Sequence, residues 1–194
     1  MKKILFNLAC AVALCLGNGA QAALLTFDTS ALVDIDPVTN VATYAESGCV
    51  ILGAAASFLP LDGVGSGGSP GLFGLQNETI KLMAQGGGRF SLIGLDFGLS
   101  AFAIVDPGVL PELLVLGLGN TLLSETLALG SLSSFNFQGW SNLREVRFSA
   151  NADFILDNIA AFAVPEPGSL ALMGVALAGL AWTLRRRLPM QKSK

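Results

Sequence analysis

Arg144-Glu145-Val146-Arg147-Phe148-Ser149 alternates with a period of two, placing Val146 and Phe148 on one face and Glu145, Arg147 and Ser149 on the other. Only an extended chain keeps those sets apart, because a helix winds residues two apart to nearly opposite sides. The stretch is therefore a strand with one face on a core and the other in water. Working outward, short apolar and β-branched runs recur at residues 24–28, 41–44, 50–52, 79–83, 89–97, 102–105, 113–116, 121–129, 134–137, 143–149 and 154–162. Eighteen glycines between positions 23 and 163 punctuate them, including those of residues 63–74 and Gly86-Gly87-Gly88. No run makes a persuasive amphipathic helix; residues 110–118 come closest, but carry Pro111 and have glycines around them. The pattern predicts an all-β fold, an antiparallel β-sandwich of jelly-roll type, over residues 23–163.

The chain of 194 residues is 52% apolar, with a mean hydropathy of +0.63, and the excess sits at its two ends. Residues 1–22 begin with Met1-Lys2-Lys3, continue through an apolar run at positions 4–16, and close with small residues, Ala20 and Ala22 standing as an A-x-A cleavage site. That is the three-part pattern of a secretory signal peptide, whose run is too short for a permanent span. At the other end, Val164-Pro165-Glu166-Pro167 precedes an uncharged apolar stretch to Leu184 and then Arg185-Arg186-Arg187. As a helix, residues 168–184 reach about 25 Å, the short end of what crosses a bilayer. The arginines act as the membrane stop and keep residues 189–194 cytoplasmic. A signal-peptide helix and a C-terminal transmembrane helix are thus expected to flank the sandwich, with the domain outside.

Residues 164–188 resemble the PEP-CTERM protein-sorting signal, also catalogued as an ice-binding-protein C-terminal domain: a Pro-Glu-Pro motif, a Gly/Ala/Leu-rich span and a terminal arginine cluster. The resemblance implies a Gram-negative bacterium that makes exopolysaccharide. It also implies signal peptidase and then an inner-membrane exosortase as processing partners, with Pro165, Glu166 and Pro167 as the sorting determinant. The two prolines remove backbone donors and disfavour helix before the span, which leaves an extended peptide for an enzyme to meet.

The region 23–163 carries 13 acidic residues against Lys81, Arg89, Arg144 and Arg147, a balance of −9 that the basic ends reduce to −3 for the whole chain. Nucleic acid is excluded as a partner, since phosphate neutralisation needs the opposite sign. With no histidine in the chain, Ser-His, Cys-His and His-ligated zinc chemistries are absent, leaving carboxyl groups as acid/base candidates. Neither Asp34 with Asp36 nor Asp153 with Asp157 is forced by its spacing to converge as a glycosidase pair. Once Cys10 and Cys15 depart with the signal peptide, Cys49 is left without an intrachain partner and reads as a small buried hydrophobe.

A looser resemblance, to carbohydrate-module-like sandwiches, rests on Leu25-Thr26-Phe27-Asp28, on Gly88-Arg89-Phe90-Ser91-Leu92-Ile93-Gly94-Leu95-Asp96-Phe97, and on Phe148-Ser149 followed by Phe154-Ile155-Leu156-Asp157-Asn158-Ile159. It implies a structural calcium ion joining the first and last strands, a role that falls on Asp28 and Asp157 with Glu46; the alternative is that Asp157 and Asn158 turn the last strand. Trp140, in Gln138-Gly139-Trp140-Ser141-Asn142, is the best sugar platform on composition, and equally a lid on one end of the core. Residues 63–74 lack the Lys-Ser/Thr of a phosphate loop and read as a flexible loop. The expectation is an exported, non-enzymatic protein of the envelope or exopolysaccharide matrix. The alternatives are a secreted carbohydrate-binding module and, more weakly, a carboxylate-dependent glycan hydrolase.

Overall fold

The computed structural model describes residues 22–28, 33–55, 59–61 and 63–164, together with the helical residues 174, 176, 177, 179 and 180. Ala20–Val164 form one compact unit. Its strands are β1 (Ala22–Leu25), β2 (Val33–Asp36), β3 (Val41–Glu46), β4 (Cys49–Ala54), β5 (Leu59–Leu61), β6 (Gly71–Gly74), β7 (Thr79–Ala84), β8 (Arg89–Leu99), β9 (Glu112–Leu118), β10 (Leu122–Ala128), β11 (Ser133–Asn136), β12 (Glu145–Ala150) and β13 (Phe154–Val164). One sheet runs β11-β8-β13-β6-β5, with β1 also on β13; the other runs β10-β9-β12-β7-β4-β3-β2. All the pairings are antiparallel, so the two-sheet sandwich expected from the alternation is what forms.

The stretch that decided the fold is β12, with Val146 and Phe148 fully buried between Leu82 and Ile80 of β7 and Gly117 and Val115 of β9. Inward side chains of both sheets meet in a single core that includes Phe27, Tyr44, Phe90, Phe148 and Phe154, all without exposed surface. Burying each such side chain stabilises the fold by about 1.5–3 kcal/mol relative to leaving it in water. Phe27 and Tyr44 pack ring to ring at 5.2 Å.

Several sequence expectations shift. Residues 102–105 form no strand: Phe102 and Ile104 lie 67% and 83% exposed in the connection between β8 and β9. Residues 110–118, the closest approach to a helix, contain β9, whose β12 and β10 neighbours satisfy its backbone on both sides. Residues 63–74 are not one loop, since they end in β6, buried at all four positions. Three strands escaped the pattern, β2, β5 and β6. The turn after β2 is set by Asp36, whose carboxyl accepts the Val38 N–H at 2.8 Å, the Thr39 N–H at 3.3 Å and the Thr39 hydroxyl at 2.8 Å, which lowers its pKa.

The sandwich has two distinct poles. β1 begins opposite Phe162 and β13 ends opposite Arg89, so both chain ends leave from one pole. The connections from β6 to β7, β8 to β9 and β12 to β13 cross between the sheets at the other.

Candidate functional site

The connections at the far pole are tied to one another. The Asn77 N–H donates to the Ala150 carbonyl at 2.8 Å, and the Gln76 N–H to Asp153 Oδ1 at 2.8 Å. Asn151 is used at both ends of its amide: Oδ1 accepts the Glu112 N–H at 2.7 Å and Nδ2 donates to the Leu110 carbonyl at 2.9 Å. On the outer face beside this frame opens a cleft of about 440 Å³, lined by residues that include Asn77, Thr79, Glu112, Leu114, Thr126 and Ser149. Four of these form a register row across the sheet: Thr126 of β10 faces Leu114 of β9, which faces Ser149 of β12, which faces Thr79 of β7. The outward positions of alternating strands were readable in the sequence, but which of them share a row was not.

Of the three acids that the sandwich resemblance assigned to calcium, Glu46 and Asp157 have other occupations. Asp28 is exposed. Glu46 Oε2 accepts the Thr26 N–H at 3.0 Å and the Tyr44 hydroxyl at 2.9 Å, and the Phe27 N–H at 3.4 Å, holding Phe27 in its left-handed conformation at φ 58°. Asp157 is fully buried, with Oδ2 accepting the Ser66 N–H at 2.7 Å and the Ser69 hydroxyl at 2.9 Å, and Oδ1 accepting the Asn158 N–H at 2.7 Å. Among the described residues no three acidic or cysteine side chains gather to hold a metal. The Glu46 and Asp157 carboxyl groups face donors and Asp28 stands exposed, whereas calcium needs six to eight oxygen acceptors, so the residues do not fit the ion. Asp157 and Asn158 neither turn nor cap the last strand but lie within it at a bulge: Asn158 sits at φ 46° where the pairing of β13 with β8 shifts register, and its Nδ2 donates to Asp96 Oδ2 at 2.8 Å.

Trp140 is 7% exposed, packed on Phe137 at a centroid distance of 4.5 Å and lying over Gly117, where an added Cβ would meet Trp140 Cζ3 at 2.9 Å. It closes the core in place of presenting a ring to a sugar. Cys49 is buried, and desolvation pushes its thiol from 9.0 up to about 11.

Ala20, Pro165, Glu166, Pro167, Arg185, Arg186 and Arg187 lie outside the described residues, as does most of the expected span 168–184. No helix among the described residues is long and apolar enough to cross a membrane. Ala22 opens β1, and Ala23–Leu25 keep their pairing to β13 if the chain is cut after it.

From the last two residues of β13 onward the sequence matches a protein-family description, the PEP-CTERM protein-sorting motif, over residues 163–187. The chain carries a PEP-CTERM motif at its C-terminal end. That motif implies an exported protein, processed by an exosortase and sorted to the cell surface. No curated protein matches the chain. Among solved structures, the chain is similar to a variant of a family 29 carbohydrate-binding module, at 10% identity and a TM-score of 0.40 over 73% of this chain and 91% of that one. It is also similar to a family 61 module in complex with β-1,4-galactotriose, at 9% identity and 0.37 over 61% and 90%. A family 16 module aligns at 15% identity and 0.32 over 54% and 84%.

Proposed function

We propose that this protein is a non-enzymatic β-sandwich of the cell envelope or exopolysaccharide matrix of a Gram-negative bacterium. Signal peptidase removes residues 1–22, the inner membrane holds the precursor transiently through residues 168–184, and an exosortase acts at Pro165-Glu166-Pro167. The observation that carries the reading is the motif over residues 163–187, which begins in the last two residues of the last strand and puts Pro165-Glu166-Pro167 directly after its end at Val164. A cut there removes the apolar end and leaves the β13 ladder complete. The non-enzymatic part is supported by the absent histidine and by Glu46 and Asp157, which are occupied with structural hydrogen bonds. Replacing Pro165 and Pro167 by alanine in the native host is expected to leave an uncleaved, membrane-held chain, read as intact mass and fractionation. Normal processing of that variant would refute the sorting role.

A second reading, a carbohydrate-binding module in the matrix, is favoured by the polar cleft at the pole opposite the chain ends.

A further inference from the structure

We infer that this cleft binds a short run of a neutral polysaccharide, with Glu112 as its charged hydroxyl acceptor; the inference rests on the carbohydrate-binding reading and assigns its site. The hydroxyls of Thr79, Thr126 and Ser149 and the carboxyl of Glu112 line the cleft without a hydrogen-bond partner among the described residues. The row of Thr126, Leu114, Ser149 and Thr79 crosses four neighbouring strands, with Glu112 two residues before Leu114 on β9, so at about 4.8 Å per interstrand step it extends for about 14 Å. A chain lying along it meets one polar group after another. Leu114 lies half-buried between Thr126 and Ser149, and Leu110, 77% exposed, is anchored beside the cleft by Asn151. Alternating hydroxyl partners and hydrocarbon match the hydroxyl edges and C–H faces of a sugar ring.

Other ligand classes fit this lining poorly. No cation lines the cleft, and in the neighbouring outward row of Lys81 and Arg147 the arginine is paired with Glu145, so an anionic ligand would face Glu112 and a domain of balance −9 with little compensation. A single carboxyl group lines it, too few hard ligands for a divalent cation. A wholly apolar ligand would strip water from several polar groups and return no hydrogen bonds. β9 and β12 are paired on both sides, so an added peptide strand could join only along the outer edge of β10 and would leave the rest of the row uncovered. The Asn151 and Gln76 bonds fix the walls in advance, which reduces the ordering cost of binding.

The test is affinity electrophoresis of the full-length chain in detergent. Gels contain a neutral glucan, galactan or xylan in one arm and a uronate polymer in the other. Wild type is expected to be retarded by at least one neutral polymer, with binding weakened about tenfold or more in Glu112→Ala and severalfold in Ser149→Ala, as loss of a hydrogen bond to a charged group predicts. Asp106→Ala, an exposed change outside the lining, is expected to bind as wild type, and unchanged melting curves establish that each variant is folded. Equal retardation of wild type, Glu112→Ala and Ser149→Ala would overturn the cleft and leave the binding reading standing. Retardation by the uronate polymer alone would overturn the neutral ligand, and no retardation in either arm would overturn both site and reading.

Discussion

Asp157→Ala is expected to lower stability by about 2–3 kcal/mol. The fully buried carboxyl accepts the Ser66 N–H, the Ser69 hydroxyl and the Asn158 N–H at 2.7, 2.9 and 2.7 Å, and so fastens the glycine-bearing connection ahead of β6 to the bulge of β13. Three hydrogen bonds at about 1 kcal/mol net each amount to about 3 kcal/mol, and removing a buried polar group offsets part of that loss. The connection has little other choice of path: a Cβ on Gly65 would stand 2.5 Å from Asp157 Oδ2 and 2.6 Å from the Pro70 carbonyl. For a domain of this size, roughly 4 °C per kcal/mol places the melting point about 8–12 °C below wild type. The assay is thermal unfolding followed by fluorescence of the core-closing Trp140, with hydrogen exchange at the Ser66 amide as a local readout. Asp157→Asn, which keeps the shape but has one acceptor oxygen, is expected to fall between wild type and alanine. Melting of Asp157→Ala within about 2 °C of wild type, with Ser66 protection unchanged, would refute the reasoning.

Two further outcomes test the packing. Gly74→Ala places a Cβ 2.4 Å from Phe154 Cζ and 2.7 Å from Cε1, on a ring with no exposed surface; overpacking of that kind costs about 1–3 kcal/mol, read as a lower urea midpoint and partly recovered in the Gly74→Ala/Phe154→Leu double variant. Cys49, with its thiol raised to about 11 by burial, is expected to resist alkylation at pH 8 in the folded protein and to react promptly in denaturant. Because the folded thiol titrates above its ordinary 9.0, the stability it contributes is complete below pH 9 and is lost as pH rises toward about 11. Rapid labelling of the native protein would contradict the burial.

The clean alternation in β12 was legible because one of its faces meets a core and the other meets water, so period and burial carry the same information. β6 was not legible for the opposite reason: Gly71-Leu72-Phe73-Gly74 is buried on both faces and carries glycine at each end. Phe102 and Ile104 misled in the reverse sense, being β-favouring residues in an exposed connection where no neighbouring strand takes up their backbone. For the calcium assignment, composition supplied acids without saying what they face. Glu46 and Asp157 turned out to face N–H and O–H groups brought by distant segments, Ser66 lying 91 residues from Asp157. Trp140 had two readings, and only its contact with Phe137 and Gly117 chose between them.

By itself, then, the sequence determined the period-two strands, the acidic character of the exported region and the sorting address at its end, because each is a local property of contiguous residues. Tertiary structure decided which outward positions share a row, which carboxyl groups are already satisfied, and that the polar cleft lies at the pole away from the chain ends. Those depend on cross-strand register and on partners far apart in the chain, which no window of sequence contains.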